Sequence, residues 1–331
     1  MWGIVFTDSI RVLDMAYFDC PVERIRLFGF TGCATWPRMA ERRATPGDLG
    51  IFDAFPGRVV GLSSEAHGFV RSLHVPAPQP RSAGRPFVHV ADPRGNVRCV
   101  ICPLDQVLAL LTFPAECSAA FMTDAVVAAL RGRRSVAPRL PLRRMLERSL
   151  PPRFMAHFVK HVAGEFGFWA SGASLHFVDG FCGIGGASIG AFLALGHRVR
   201  FYAMDASASV LVVYKQMLLA AGVLAENIVA RRRVDMTCIG ACDVEEMIAR
   251  HPLDVVWLHV SPPCDKIARI QTQGGEDARR QRRREGMWTS HRAACLYTEC
   301  VVSSTVHIAT FENTCSLIPG RHTPMRTTVS P

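Results

Sequence analysis

The second half of the chain alternates between short apolar runs and longer segments in which apolar residues recur at helical spacing. Leu175–Val178 runs into a glycine cluster, and the pattern after it predicts a helix over Ala187–Leu195. A strand over Val199–Ala203 and a helix over Ser209–Ala221 follow. Alternating strands and helices predict an α/β fold, with a doubly wound and mostly parallel sheet whose ligand site lies at the carboxyl ends of the strands. Further strands are predicted at Ile228–Val234, Val255–Val260 and Val306–Phe311.

The amino-acid composition limits the class of protein. The chain has 331 residues, of which 49% are hydrophobic and 20% are charged, so it buries a large core and does not have the composition of a disordered protein. Its formal net charge of +10 favours a polyanionic partner. No long apolar run lacks a charge, and the N-terminus has no basic region followed by a cleavage site. We therefore expect an intracellular protein without a membrane partner, and a monomer.

The cysteines of the chain are candidate metal ligands. Twelve cysteines in an intracellular chain are expected to be reduced thiols. Cys99 and Cys102 have CxxC spacing, and no second pair follows at the spacing of a zinc finger. We interpret them as apolar strand cysteines, with a metal site as the less favoured alternative, and predict no metal.

The first motif with a chemical signature is Asp-Gly-Phe-Cys-Gly-Ile-Gly-Gly at residues 179–186, directly after the first predicted strand. Glycines here let the backbone approach a ligand, and Asp205, at the end of the next strand, is placed to accept hydrogen bonds from ribose hydroxyls. The alternatives for the glycines are tight packing of strand against helix, or a dinucleotide site. Asp235, after the third strand, either contacts an adenine amino group or is a capping or solvated carboxylate.

Two further motifs follow the fourth and fifth strands. Residues 261–265 read Ser-Pro-Pro-Cys-Asp, and the two prolines fix the backbone and present Cys264 at the mouth of the sheet, where a thiolate acts as a nucleophile. Glu312 ends the fifth strand, next to the fourth in a doubly wound sheet, so its carboxyl group is expected beside that thiol. A buried structural cysteine and a solvated glutamate are the alternatives.

In this order and spacing, the motifs between Leu175 and Thr314 resemble those of the cytosine-C5 DNA methyltransferases. DGFCGIGG resembles motif I of that family, and Asp205 and Asp235 resemble motifs II and III. SPPC resembles the catalytic motif IV, and Phe-Glu-Asn at 311–313 resembles motif VI. The resemblance implies a Rossmann-like methyltransferase sheet. About 17 residues follow Thr314, too few for the arginine motif VIII, the target-recognition region and motifs IX and X.

The missing motifs resemble segments at the start of the chain. Residues 11–29 contain Arg24-Ile25-Arg26 and are similar to the strand, turn and strand of motif VIII. Leu104–Pro114 is similar to motif IX, and Leu146–Val162 is similar to the helix of motif X, which packs beside the first strand in the family's fold. The chain is therefore interpreted as a circular permutation in the order VIII, recognition region, IX, X, then I to VI.

The circular permutation predicts which strands share a sheet and how the chain is divided into parts. Glu23–Phe30 must lie in the same sheet as Val306–Phe311, which brings Arg26 to Glu312 and Cys264. Residues 31–98 are rich in proline and glycine, and are interpreted as a small irregular target-recognition lobe or equally as a plain insertion. The expected parts are catalytic strands at 1–30, this lobe at 31–98, and a catalytic domain that binds S-adenosyl-L-methionine at 99–331.

The resemblance also implies the reaction, which is methyl transfer from S-adenosyl-L-methionine to C5 of a cytosine flipped out of nucleic acid, DNA being favoured over RNA. Cys264 would add to C6, and Glu312 would stabilise the ring at N3 and N4. Arg26 and Arg24 would hold the O2 edge of the base. The nucleic-acid phosphates would meet a basic run, with a solvated helix face as its alternative: Arg279, Arg280, Arg282, Arg283 and Arg284.

The cofactor would be held mainly by three side chains. Phe181 would stack on the adenine, Asp205 would hold the ribose, and Asp235 would accept from the adenine amino group. The full set of implied cofactor-binding residues is Asp179, Phe181, Gly183, Gly185, Gly186, Asp205, Asp235, Met236 and Pro263.

The sequence departs from the family's pattern at several positions. Asp265 stands where Gln is usual, and its negative charge beside Cys264 is expected to raise the thiol pKa. Val22 replaces a common Gln, and Glu147-Arg148 replaces Gly-Asn. These changes favour a second hypothesis, a weak or inactive methyltransferase-like protein that binds nucleic acid or cofactor. A third is a tRNA cytosine-C5 or an exocyclic-amino methyltransferase, although the latter has an aromatic residue where this chain has Cys264.

Overall fold

The computed structural model describes residues 10–32, 35–64, 70–78, 86–131, 145–146, 149–165, 167, 172–248, 254–262, 289, 291–302 and 306–314. Its strands are β1 (Ile10–Asp14), β2 (Val22–Glu23), β3 (Ile25–Thr31), β4 (Arg58–Ser64), β5 (Ala77–Pro78), β6 (Pro86–Ala91), β7 (Val97–Ile101), β8 (Leu175–Gly180), β9 (Val199–Asp205), β10 (Ile228–Arg233), β11 (Val255–Val260) and β12 (Ile308–Thr314). Its helices are α1 (Leu104–Leu110), α2 (Cys117–Ala120), α3 (Asp124–Arg131), α4 (Pro152–Glu165), α5 (Gly186–Leu195), α6 (Ala208–Ala220), α7 (Ala241–Met247) and α8 (291–302).

The central sheet of the described chain has seven strands in the order β1-β3-β12-β11-β8-β9-β10. The five strands from β12 to β10 all pair in parallel. Numbered along the chain and read from β10, they have the order 3-2-1-4-5 of a Rossmann-like sheet, with the reversal between β8 and β11. The predicted α/β, doubly wound and mostly parallel fold is therefore confirmed.

The start of the chain completes this sheet. β3 pairs antiparallel with β12, and β1 pairs antiparallel with β3. The predicted sharing of one sheet by the two ends of the chain is confirmed, although the bounds differ. Glu23 belongs to the short strand β2, and β12 begins two residues later than predicted and continues to Thr314. The extension carries Glu312 into the paired part of the strand.

Helix α4 closes one face of the sheet. Aromatic rings of its first two turns pack on rings from the N-terminal strands, with the Phe28 and Phe158 centroids 4.6 Å apart. Val162 of α4 and Leu175 of β8 line the same small apolar cavity, so the expected packing of this helix beside β8 is present. The helix begins at Pro152 rather than at the predicted Leu146, because proline suits the first helical position and disfavours helix in the residue before it.

Part of the expected irregular lobe is a regular sheet. β4, β6 and β7 form a three-stranded antiparallel sheet, and β7 crosses the predicted boundary at residue 98. Val88 and Val90 alternate with half-buried residues and point into the core. A turn joins β6 to β7, in which Gly95 has a φ of +83° and donates to the Asp92 carbonyl. The prediction of an irregular lobe is wrong for these strands, because β6 has alternating buried residues and is followed by a glycine-containing turn, which together form a hairpin with β7.

The described residues also bear on the metal and membrane predictions. Cys99 is exposed on β7, whereas Cys102 is buried and burial raises its thiol pKa to about 12. No group of three or more His, Cys, Asp or Glu side chains in the described part of the chain is arranged to hold a metal ion. Among the same residues, every helix is too short or too polar to cross a bilayer.

Candidate active site

A buried carboxylate marks the carboxyl edge of β12. Glu312 is only 4% exposed, and the two oxygens of its carboxylate have different neighbours. Ser261 Oγ, directly after β11, donates a hydrogen bond to Oε2 at 2.5 Å. Arg26 Nε lies 2.9 Å from Oε1, and Arg24 Nη2 lies 4.0 Å from the same atom. The structure therefore brings together three of the predicted catalytic residues.

The strand register explains how residues so distant in the chain meet. β3 runs antiparallel to β12 with Phe28 opposite Glu312 and Arg26 opposite Thr314. Side chains two residues apart on a strand share a face, so Arg26 is the diagonal neighbour of Glu312. Arg24 precedes β3, and its guanidinium donates to the carbonyl of Ser149, just before α4. Arg26 thus contacts the carboxylate directly. Arg24 lies near the same carboxylate and also bonds to the segment just before α4, the helix that covers the sheet.

The contact between Arg26 and Glu312 leaves an acceptor available. The two atoms are at ion-pair distance, but the Nε–H is not aligned as a hydrogen-bond donor, and Oε1 has no hydrogen-bond partner among the described residues. A buried carboxylate oxygen without an aligned donor is unusual, because buried polar atoms are nearly always paired. A donor supplied by a ligand would satisfy it.

Electrostatics keep Glu312 ionised. Burial alone would raise its pKa, but Arg26, Arg24 and the Ser261 hydroxyl outweigh burial and hold the pKa below its ordinary value. The neighbouring His259 on β11 behaves in the opposite way. Burial lowers its pKa to about 4, so the imidazole is neutral, and its Nδ1 lies 2.9 Å from Thr310 Oγ1. Negative charge is therefore concentrated on Glu312 and balanced by the two arginines.

A second buried carboxylate lies at the end of β8. Asp179 is 2% exposed and accepts a hydrogen bond from Ser188 Oγ at 2.6 Å, and Tyr214 donates to that same hydroxyl at 2.8 Å. Burial raises the pKa of Asp179 to about 7, although the bonds from Ser188 oppose the shift. The carboxyl group thus anchors the glycine turn to α5. At 2% exposure, Asp179 has very little surface for a direct cofactor contact.

The glycines of residues 179–186 have different reasons to be glycine. A Cβ on Gly186 would lie 1.9 Å from the carbonyl oxygen of Leu150, so this position is set by the close approach of the segment before α4. Gly185 is restricted in the same way by side chains of α6. Gly183 has a φ of +53°, and among the described residues the nearest atom to its Cβ position is the Phe181 carbonyl oxygen at 3.9 Å, an ordinary contact. The packing alternative therefore applies to Gly185 and Gly186, and ligand approach remains for Gly183.

Two aspartates end the next strands of the sheet. Asp205 is half-buried, and its carboxylate accepts from the backbone N–H of Ser207 at 2.8 Å and of Gly183 at 3.4 Å. It therefore borders the open turn, beside the half-buried Phe181. Asp235 is exposed and accepts from both the backbone N–H and the hydroxyl of Thr237, and these bonds lower its pKa. The capping alternative for Asp235 thus has a structural basis.

The remaining predicted residues are not all in view. Met236 is buried, and its Cε lies 3.1 Å from where a Cβ of Gly180 would be, so it supports the floor under the glycine turn. Val22 is buried and pairs with Ala77. The predicted residues outside the described part of the chain are Pro263, Cys264, Asp265, Glu147, Arg148, Arg279, Arg280, Arg282, Arg283 and Arg284.

Sequence reasoning missed several side chains that shape the site. Ser261 is part of the Ser-Pro-Pro-Cys motif, and Ser188 and Tyr214 fall within the predicted helices. His259 carried a usable signal, because it is a polar residue inside the apolar run Val-Val-Trp-Leu-His-Val. The other three gave none, since a serine or tyrosine on a helix or after a strand is common.

Comparisons with known proteins add little. No family model matches the chain, and no curated protein matches it. One of the solved structures that match is cofactor-bound Rv0187 from MTB, which is 17% identical, covers 58% of this chain and 69% of its own, and has a TM-score of 0.28. A likeness at that score supports no argument. The fold assignment therefore rests on the strand order of the sheet.

Proposed function

We propose that this chain is an S-adenosyl-L-methionine-dependent cytosine-C5 methyltransferase with a circularly permuted order of motifs, acting on DNA. The observation that carries the proposal is the buried Arg26–Glu312 pair, which joins the first tenth of the chain to its far end beside the strand that leads to Cys264. A truncated catalytic half would lack this arginine. The pair is therefore the feature that favours a complete site over the inactive alternative.

The chemistry of the pair suits the polar edge of cytosine. Cytosine offers an amino group at N4, an acceptor at N3 and a carbonyl at O2. Oε1 of Glu312 lacks an aligned donor among the described residues and would accept from N4 and from N3 once N3 gains a proton. The guanidinium of Arg26 would donate to O2. Donor and acceptor thus match along one edge of a flipped base.

The proposed nucleophile follows the site in sequence. Cys264 comes three residues after Ser261, and three peptide units span at most about 11 Å. Addition of the Cys264 thiolate to C6 would turn C5 into an enamine-like carbon, and Glu312 would stabilise the ring as charge develops at N3. After C5 has gained the methyl group, loss of the C5 proton to water and departure of the Cys264 sulfur as thiolate would restore the aromatic ring. The arginines at 279–284 would contact phosphates.

The cofactor site has a suitable set of residues. Gly183 leaves room for close backbone approach, and Asp205 places a carboxylate beside it at the end of β9, where ribose hydroxyls are bound in this topology. Phe181 borders the same turn and would stack on adenine. S-adenosyl-L-methionine bound here would supply an electrophilic methyl group for C5.

The direct test is methyl transfer followed by analysis of the modified base. Labelled S-adenosyl-L-methionine is incubated with a mixed-sequence DNA duplex or with tRNA, and the digested nucleosides are separated. We expect label in 5-methyldeoxycytidine from DNA. Cys264→Ser should abolish transfer while calorimetric cofactor binding stays near that of the wild type, because the cofactor is held by Phe181 and Asp205.

Each rival hypothesis gives a different result in the same assay. An exocyclic-amino enzyme would place label on N4 of cytosine or N6 of adenine and would keep its rate in Cys264→Ser. A tRNA enzyme would label tRNA in preference to DNA. An inactive relative would bind cofactor or nucleic acid without transferring label at all.

A further inference from the structure

We infer that Ser261 is a positioning residue, whose hydroxyl orients the Glu312 carboxylate so that its Oε1 faces the substrate. The inference rests on the proposed function for the identity of that substrate. The bond itself is a property of the folded chain: Ser261 Oγ donates to Oε2 at 2.5 Å, while Oε1 has no hydrogen-bond partner among the described residues.

The place of Ser261 in the fold suits such a role. It directly follows β11, which lies between β8 and β12 in the sheet. The order of the parallel strands reverses between β8 and β11. The backbone N–H of Ser261 donates to the carbonyl of Gly180 at 3.3 Å, and its side chain reaches Glu312. One residue therefore connects the start of the glycine turn to the carboxylate of the base site.

The geometry of a carboxylate explains why one hydroxyl matters. Arg26 approaches Oε1 without hydrogen-bond alignment, so this ion pair restrains the distance but not the rotation of the carboxylate plane. The directional bond from Ser261 to Oε2 defines that plane. With the plane defined, Oε1 keeps lone pairs for an incoming donor. Loss of the hydroxyl would let the carboxylate turn toward the arginines.

A purely structural role makes a different prediction. The backbone bond to Gly180 needs no particular side chain, so alanine at position 261 would preserve it. Only the bond to Glu312 requires the hydroxyl. A structural role therefore predicts no effect of Ser261→Ala that depends on Glu312, whereas a positioning role predicts one.

The kinetic experiment compares Ser261→Ala and Ser261→Thr with the wild type in the methyl-transfer assay. Removing a hydrogen bond to a charged group should lower kcat by about 10-fold to 100-fold, with KM for S-adenosyl-L-methionine unchanged. The acidic limb of the pH–rate profile should move to higher pH, because the ionised carboxylate loses a stabilising donor. Ser261→Thr should restore both. Ser118→Ala is the matched control, since the hydroxyl of this α2 residue bonds locally to the carbonyl of Ala115, just before that helix.

An unfolding experiment tests the same bond without any activity. The pKa of Glu312 is lowered in the folded chain, so its contribution to stability is present above the unfolded pKa and is lost as pH falls through the folded pKa. In Ser261→Ala the folded pKa of Glu312 should rise toward the unfolded value, so the loss of stability in acid should be smaller and should end at higher pH in urea titrations. In a Glu312→Gln background, Ser261→Ala should cause no such pH-dependent change.

The two experiments separate the inference from the proposed function. Active wild type with a Ser261→Ala variant of unchanged kcat overturns the inference. Wild type without any methyl transfer overturns the proposed function, and the unfolding cycle then decides alone whether Ser261 orients Glu312. An acid shift that depends on Glu312 supports the inference, and its absence overturns it.

Discussion

Two carboxylates at the carboxyl edge of one sheet are both buried, yet their pKa values shift in opposite directions. Glu312 on β12 and Asp179 on β8 belong to residues 4% and 2% exposed. Asp179, His259 and Thr310 face one another across three strands, and Glu312 lies two residues beyond Thr310 on the same face. Yet the pKa of Glu312 is lowered, whereas that of Asp179 is raised to about 7.

The difference lies in the partners and not in the depth. Glu312 has two arginines and a hydroxyl, which stabilise its charge. Among the described residues, Asp179 accepts hydrogen bonds from the hydroxyl and backbone of Ser188, and these do not compensate for burial. The proposed base side of the site, around Glu312, is thus organised by fixed charge. The proposed cofactor side, around Asp179, is organised by an acid whose pKa burial raises to about 7 and by glycine backbone that packs closely. Four sets of variants test this division.

Removal of the base-side charge partner should have the largest effect. Arg26→Met leaves the buried Glu312 with less compensation, so we expect the free energy of unfolding at pH 7 to fall by about 3–5 kcal/mol in urea titrations. Adding Glu312→Gln should recover part of that loss. Arg58→Met, at an exposed arginine of β4, should change stability by less than about 0.5 kcal/mol. If Arg26→Met matched that control, the charge account of the base side would fail.

The cofactor-side acid should reveal itself through pH. The folded pKa of Asp179, about 7, lies above the ordinary value of an unfolded aspartate. At pH values between these two, the folded state keeps a proton that the unfolded state has released. The protonated Asp179 therefore makes its full contribution to the free energy of unfolding below about pH 4. This contribution is lost as pH rises through about 7. Asp179→Asn removes this slope, and should gain on the order of 4 kcal/mol relative to the wild type between pH 4 and pH 8.

The readout for Asp179→Asn is the difference in urea stability between variant and wild type across that range. A difference that stays flat with pH would mean that Asp179 is ionised like Glu312, and the contrast between the two sides would disappear.

Glycine substitutions should separate packing from ligand approach on the cofactor side. Gly186→Ala forces a Cβ against the Leu150 carbonyl and should lower stability by about 3 kcal/mol. Gly183→Ala would place its Cβ at an ordinary contact distance from the described residues and should lower stability by only about 1 kcal/mol, because of its left-handed backbone. Cofactor affinity, measured by calorimetry, should nevertheless fall in Gly183→Ala. Equal losses of stability would show that both glycines serve packing.

The smallest change in stability is expected at Asp235. Its carboxylate is exposed and bonds to Thr237 within its own turn, so Asp235→Ala should change the free energy of unfolding by less than about 1 kcal/mol. If it also accepts from adenine, cofactor affinity should fall about tenfold. Unchanged affinity would leave Asp235 as a turn cap only.

Local patterns were sufficient for the parallel half of the fold and for the placing of its motifs. The apolar runs from Leu175 to Val260 became parallel strands, and Asp179, Asp205 and Glu312 lie at strand ends because motif and strand are adjacent in sequence. The start of α4 at Pro152 was also readable from proline chemistry, although the prediction placed it earlier.

Long-range partners could not be derived from local patterns. The pairing of β3 with β12 followed from a resemblance and from no rule of spacing. Ser188 and Ser261 carry no sequence signal, yet each donates a hydrogen bond to one of the two carboxylates. Both bonds lower the pKa of the carboxylate that accepts them. A pKa depends on neighbours from several elements, so it is a tertiary property that periodicity does not report.

The most direct test of the central claim is covalent trapping on a duplex that contains 5-fluorocytosine. Addition of Cys264 to C6 and methylation at C5 leave fluorine where a proton would depart, so elimination is blocked and enzyme stays bound to DNA. We predict an adduct that survives denaturing electrophoresis, requires S-adenosyl-L-methionine, and is absent in Cys264→Ser. Free protein under conditions where cofactor and duplex both bind would contradict the assignment of this chain as a cytosine-C5 methyltransferase.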